Sequence, residues 1–130
     1  MKKLILVMFA FVAISICSVA DAAQAPTRIT FAAGATSKVV TGTLRGYKSI
    51  RTFVIRVKKG QRLITDSVDS QISIGVDAPP GSTYEQDAGA DCHDHNDVNP
   101  TAAGDYKITV NECTKADEWK GTFKFKITVK

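Results

Sequence analysis

The sequence predicts an all-β fold, a small antiparallel β-sandwich built from residues 23–130. Several short segments alternate apolar and polar residues with a period of two, the pattern of strands that bury one face. Turn-forming residues separate these segments, and no segment after residue 22 carries a long apolar stripe at helical spacing. Short strands at turn-punctuated intervals over about a hundred residues are typical of a sandwich.

Residues 1–22 have the layout of a secretory signal peptide. Residues 1–3 form a basic start, an unbroken apolar run follows, and "ADA" at 20–22 is a small-x-small triplet before the predicted cleavage point. The apolar run is too short for a comfortable transmembrane helix, and no cluster of stop-transfer charges follows it. We therefore expect residues 23–130 to form a single exported domain, periplasmic or secreted, with no membrane attachment.

The individual strands follow from the alternation. Residues 122–130 show it most clearly, with apolar residues facing in and lysines or threonine facing out. The same pattern predicts strands at 51–57, 71–76 and 105–110, and further strands at 38–44 and 62–68. The predicted inward-facing residues are Phe53, Ile55, Val57, Ile72, Ile74, Val76, Tyr106, Ile108, Val110, Phe123, Phe125, Ile127 and Val129.

Two cysteines remain once the signal peptide is gone, because Cys17 is removed with it. An even pair in an exported protein indicates a disulfide, here between Cys92 and Cys113. Closing a loop of about twenty residues stabilises the fold by roughly 3 kcal/mol in the chain-entropy model.

The stretch "GADCHDHNDVNP", residues 89–100, concentrates histidine and aspartate. In an extended segment His93 and His95 share a face and are the candidate metal ligands. Zinc needs three or four convergent ligands, a disulfide-bonded Cys92 offers no thiolate, and the aspartates lack the spacing of a calcium hand. The prediction is a solvated polar loop, with no metal or cofactor assigned.

Charge along the chain falls into blocks. Every charged residue from Arg28 to Arg62 is basic, and every one from Asp66 to Asp105 is acidic. Either the folded surface mixes the blocks, or a basic face meets an acidic partner. The net charge of +4 and the absence of an aromatic platform motif argue against nucleic acid. No G-x-S-x-G nucleophile motif is present, and the acidic pairs are unspecific, so the sequence favours a binding protein over an enzyme.

An ordered set of turn residues resembles the PliG-like periplasmic inhibitors of goose-type lysozyme. The set runs from Phe31, Gly34 and Ser37 through Gly46-Tyr47 and Gly60-Gln61 to Pro79-Pro80-Gly81 and Gly104-Asp105-Tyr106. A weaker resemblance links the chain to bacterial pre-peptidase C-terminal domains, which are also small sandwiches. The resemblance covers about residues 29–130 and implies a sandwich of about eight strands.

The resemblance also implies a function. In that family, end loops occlude the substrate cleft of a lysozyme, and an arginine-rich hairpin between the last two strands enters it. Here the corresponding hairpin is expected at residues 111–122 and contains no arginine, so Lys115 and Lys120 would supply the charge, with Asp117 and Glu118 opposing it. Tyr47 matches the family's Gly-Tyr position and is a candidate contact, with turn packing as the alternative.

Trp119, the sole tryptophan, lies in the same segment. Exposed, it would anchor a protein partner or a sugar; folded over the sandwich edge, it would serve structure. The predicted function is therefore an exported inhibitor of a lysozyme, goose type or related, that binds a protein partner through Tyr47, Lys115, Trp119 and Lys120. The alternative is a non-catalytic carbohydrate- or cell-wall-binding module that uses Trp119.

Overall fold

The computed structural model describes residues 25–68, 71–86, 92–115 and 117–130. The predicted signal peptide lies outside these residues. Within the described ranges no helix is long and apolar enough to cross a membrane.

Eight strands make up the regular structure of these ranges. They are β1 (Thr27–Arg28), β2 (Ser37–Arg45), β3 (Ile50–Val57), β4 (Leu63–Ser67), β5 (Ile72–Asp77), β6 (His95–Val98), β7 (Gly104–Glu112) and β8 (Lys120–Val129).

The strands form two sheets of four strands each, in the orders β1-β3-β7-β5 and β2-β8-β4-β6. Successive strands along the chain alternate between the sheets, so each connection within this set crosses from one layer to the other. The predicted sandwich and its number of strands are confirmed. The pairing is antiparallel except at one edge, where β1 runs parallel to β3. The two residues of β1 are too few to show a pattern in the sequence.

The core lies between the sheets and follows the predicted alternation. All the residues predicted to face inward are buried. Phe53 of one sheet meets Phe123 and Phe125 of the other, with ring centroids 6.3 and 5.7 Å apart and edge-on geometry. Such aromatic contacts between the layers add specific packing to the burial of apolar area.

The polar stretch around residue 95 differs from the prediction. Residues 95–98 are not a solvated loop but strand β6, which pairs with β4 and buries Asn96 and Val98. The Asn96 side chain donates to the Thr65 hydroxyl and the Ile74 carbonyl, and its oxygen accepts from Gln86. Buried polar groups need such partners, and this one is satisfied by both sheets. An inward-facing asparagine breaks the apolar alternation on which the prediction relied.

The charge blocks mix at the folded surface. Arg28 forms two hydrogen bonds of 3.1 Å with Asp105, and Arg62 pairs in the same way with Asp97. Each pair joins the basic block to the acidic block. Of the two readings of the charge pattern, the structure therefore favours the mixed surface over a single basic face.

Candidate protein-binding site

The strand directions bring the candidate residues to one end of the sandwich. Strand β2 ends at Arg45 opposite Lys120, the first residue of β8. Strand β3 begins at Ile50 opposite Asn111, near the end of β7. The connection 46–49 and the connection 113–119 therefore emerge side by side, and we call this region, together with residues 92–94, the disulfide end. Ala116 lies outside the described residues.

The predicted disulfide is present and braces this end. Cys92 and Cys113 are bonded, with their Cα atoms 5.6 Å apart, and Cys113 is buried. The segment that carries Cys92 is also hydrogen-bonded to both sheets. The His93 carbonyl accepts from the Ile74 amide at 2.8 Å, and the Asp94 carbonyl accepts from the Ser67 amide at 2.7 Å. The bridge therefore ties the end of β7 to a segment that is itself held by both layers.

The segment 111–122 is not the hairpin that the sequence analysis expected. Strand β7 pairs with β3 and β5, whereas β8 pairs with β2 and β4 in the other sheet. The prediction assumed that the last two strands, which are adjacent in sequence, also pair in one sheet. The connection 113–119 instead bridges the open end between the layers, where it lies beside the turn at 46–49 rather than projecting alone.

Tyr47 lies in that turn and is 40% exposed. Gly46 has a φ of 112°, a left-handed conformation that favours glycine, and its carbonyl accepts from the Ser49 amide at 2.9 Å. Partial burial raises the pKa of the Tyr47 phenol, and the nearby carboxylates of Glu112, Asp117 and Glu118 raise it further. These carboxylates belong to the other connection or border it, so the structure brings Tyr47 together with the 113–119 segment.

Trp119 is half-buried and packs against the core. Its ring covers Gly121, where an added Cβ would lie 2.8 Å from the ring atom Cζ2. Its backbone N–H donates to the carboxylate of Glu112, whose side chain is 1% exposed. The second oxygen of that carboxylate is buried without a hydrogen-bond partner. Of the two roles considered for Trp119, this placement matches a tryptophan folded over the sandwich edge.

The exposed cations at this end are more numerous than the sequence analysis assigned. Lys115 and Lys120 are exposed, as are Arg45 and Lys48 of the neighbouring connection. Arg45 and Lys120 are direct cross-strand partners, so two like charges lie together at the edge of the disulfide end. Sequence reasoning missed Arg45 and Lys48, although both flank the Gly-Tyr motif. Asp117 and Glu118 are also exposed and make the charge of this end mixed.

The two histidines were the candidate metal ligands. Among the described residues no group of three or more histidine, cysteine, aspartate or glutamate side chains converges. His95 pairs through Nδ1 with Asp66 on the neighbouring strand β4. His93 precedes the strand, and its amide donates to the Ser73 hydroxyl at 3.2 Å.

Solved structures share this architecture. PliG of Aeromonas hydrophila, a periplasmic inhibitor of g-type lysozyme, superposes with a TM-score of 0.62 at 18% identity, over 81% of this chain and 96% of its own. PliG of Salmonella Typhimurium gives a TM-score of 0.60 at 15% identity, over 83% and 100%. A mutant of the Escherichia coli inhibitor gives 0.57 at 20%, over 81% and 97%.

The fold is that of these lysozyme inhibitors. Almost the whole of each inhibitor chain is covered, so the likeness extends to both sheets rather than to a shared motif. No protein-family model and no curated protein matches the chain. At identities of 20% or less the likeness establishes the scaffold, and the role of each side chain has to be argued from the site itself.

Proposed function

We propose that this protein is an exported inhibitor of a lysozyme, goose type or related, and that it blocks the substrate cleft with its disulfide end. The observation that carries the proposal is the fold, which matches known inhibitors over 96% or more of their length. The predicted signal peptide supports a periplasmic or secreted location, where such a target would be met. The proposal describes a binding protein and assigns it no catalytic residue or cofactor.

The geometry of the disulfide end supports this role. A lysozyme cleft carries catalytic carboxylates, so the exposed cations of this end suit it electrostatically, whereas the exposed Asp117 and Glu118 oppose it. Arg45 and Lys120 supply paired charge at the edge, and Arg45 provides the guanidinium that the 111–122 segment lacks. Tyr47, 40% exposed, and Ile50, 57% exposed, offer aromatic and apolar contact area beside these charges.

Rigidity supports it as well. The disulfide and the hydrogen bond from Trp119 to Glu112 restrain the 113–119 connection at both of its ends. A segment that is ordered before binding loses less conformational entropy when it enters a cleft. In this proposal Trp119 positions the connection, whereas Tyr47, Lys115 and Lys120 make the contacts.

The carbohydrate-binding alternative fits the structure less well. A sugar platform needs an exposed aromatic face, but Trp119 packs against the core and over Gly121. The exposed lysines and arginine beside it are also the features that favour a protein inhibitor. No observation in the described part of the chain specifically supports a sugar site.

The test is a lysozyme assay with the purified oxidised protein against goose, chicken and invertebrate types in parallel. We expect dose-dependent inhibition of one type at submicromolar protein. Tyr47→Ala should weaken that inhibition by at least tenfold, a loss of roughly 1.4 kcal/mol in binding. Arg45→Gln should weaken it several-fold and make it less sensitive to salt.

Matched controls locate the site. Lys59→Gln removes one exposed positive charge at the opposite end of the sandwich and should leave inhibition unchanged. Failure to inhibit any of the three types would refute the proposal. Equal losses for Lys59→Gln and Arg45→Gln would refute the assignment to the disulfide end, since only overall charge would then matter.

A further inference from the structure

A cavity opens at the end of the sandwich opposite the disulfide end. Its volume is about 610 Å³, within the range of roughly 300–1,000 Å³ typical of small-molecule sites. It lies where strands β3 and β8 finish and where the chain passes from β1 to β2. None of the candidate residues of the disulfide end lines it.

The wall formed by the β1–β2 connection is held in place. The Ile29 amide donates to the Val54 carbonyl at one end, and the Thr36 carbonyl accepts from the Val129 amide at the other, both at 2.8 Å. The Lys38 ammonium of β2 donates to the Thr30 carbonyl of the connection at 3.2 Å. The cavity is therefore bounded by a connection that is anchored to both sheets.

The floor of the cavity is apolar. Ile29, Ile55 and Val129 are 6%, 4% and 9% exposed, and half-buried Phe31 packs against the same core. Phe31 still exposes apolar surface, so contact with a hydrocarbon group would remove that surface from water.

The rim is cationic. Four basic side chains line the cavity, Arg28, Arg56, Lys58 and Lys130, and no acidic side chain does. Asp105 binds Arg28 from outside the cavity, and Arg28 and Arg56 both help to lower the pKa of that carboxyl. The structure shows no ion pair for Lys58 within the described residues. Lys130 likewise helps to lower the pKa of Asp97, which also lies outside the cavity lining. The four rim cations therefore face two neighbouring described carboxylates, Asp97 and Asp105, and the rim keeps a net positive charge.

We propose that this cavity binds a single-chain alkyl carboxylate of medium length. The carboxylate would lie among the rim cations beside Lys58, which forms no ion pair within the described residues, whereas Arg28 is already paired with Asp105. The alkyl chain would cover Ile29, Phe31 and Val129. An apolar pocket with a few convergent charged groups is the usual arrangement for a ligand that is amphiphilic itself. This binding is independent of lysozyme inhibition, which is proposed for the disulfide end.

The experiment uses calorimetric titration of the purified oxidised protein with decanoate, decanol and acetate. Decanoate should bind saturably with one equivalent per chain. Decanol, which lacks the carboxylate, and acetate, which lacks the long alkyl chain, should each bind at least tenfold more weakly. Lys58→Gln should weaken decanoate binding about threefold to tenfold. Ala35→Phe should weaken it at least tenfold, because Ala35 lines the cavity and a larger side chain would fill it.

Two controls keep the test specific. Lys59→Gln and Ala33→Phe change the same residue types on the same two connections, at exposed positions that do not line the cavity. They should bind decanoate as the original protein does. The proposal is overturned if decanoate does not bind, if decanol binds equally well, or if the control variants lose as much affinity as Lys58→Gln and Ala35→Phe.

Discussion

The backbone N–H of Trp119 donates a hydrogen bond to the buried carboxylate of Glu112, across the connection that links the two sheets. Both residues flank the same segment, Glu112 as the last residue of β7 and Trp119 immediately before β8. The bond therefore closes the 113–119 connection at its base, on the side where the Cys92–Cys113 bridge also attaches.

Removing this acceptor should destabilise the protein. Glu112→Ala leaves the Trp119 N–H without its partner and opens space in the core, for an expected loss of about 1–3 kcal/mol in the free energy of unfolding. Glu112→Gln keeps an acceptor oxygen and should lose less. Urea unfolding followed by Trp119 fluorescence measures both. Equal losses for the two variants would show that the hydrogen bond does not hold the connection.

Position 42 should tolerate no side chain, because Gly42 packs directly against Phe123. These residues are cross-strand partners, and a Cβ at Gly42 would overlap the buried Phe123 ring. Gly42→Ala should therefore lower the free energy of unfolding by about 1–3 kcal/mol through overpacking. Thr43→Ala, at the exposed next position, should change it by less than about 0.5 kcal/mol. A neutral Gly42→Ala variant in urea unfolding would contradict this packing.

The disulfide should contribute measurably to stability. The bridge spans a sequence separation of 21, for which the chain-entropy model gives roughly 3 kcal/mol. The double variant Cys92→Ser, Cys113→Ser should lower the urea midpoint, and a reducing agent should lower the midpoint of the original protein by a similar amount. The reductant should leave the double variant unchanged. If reduction does not alter the original protein, the bridge does not stabilise the fold.

Acid should weaken the fold through two exposed ion pairs. Hydrogen bonds from Arg62 and Arg28 lower the pKa of Asp97 and Asp105, respectively, in the folded state. A carboxyl whose folded pKa lies below its unfolded value, near 3.8, stabilises the fold above that pH, and this contribution is lost as the pH falls through the folded pKa.

The double variant Asp97→Asn, Asp105→Asn tests this linkage. Urea midpoints measured from pH 6 down to about pH 2 should fall less steeply in the variant than in the original protein. Because both pairs are largely solvated, the difference should shrink in high salt. Parallel pH profiles for the two proteins would mean that neither pair is coupled to folding.

A strand could be predicted from the sequence where apolar side chains occupied its core-facing positions. Phe123, Phe125 and Ile127 alternate with lysine or threonine, so period and burial could be inferred together. Strand β6 was not predicted because Asn96 occupies a core-facing position where the pattern requires an apolar residue. The burial of Asn96 depends on partners in both sheets. Local pattern carries no information about such distant hydrogen bonds.

The candidate site was predicted only in part for a similar reason. Tyr47 and the 113–119 connection came from separate motifs, and their adjacency depends on the register that sets Arg45 opposite Lys120. Arg45 could not be identified as a site residue from the sequence, because its position opposite Lys120 depends on that register. The chain passes from β7 in one sheet to β8 in the other, and this too depends on long-range strand pairing. Neither turn residues nor their spacing reveal such pairing.

The strict alternation of strands between the two sheets has a consequence for folding. Strand β2 pairs with β8, and β3 and β5 both pair with β7. Most ladders therefore cannot form until strands from the C-terminal part of the chain are present. No hairpin among these eight strands is available as a local nucleus, and loop-closure entropy has to be overcome before any long ladder forms. We expect folding on the millisecond-to-second timescale of non-local β-proteins, and a chain that stays unfolded until its last strand is available.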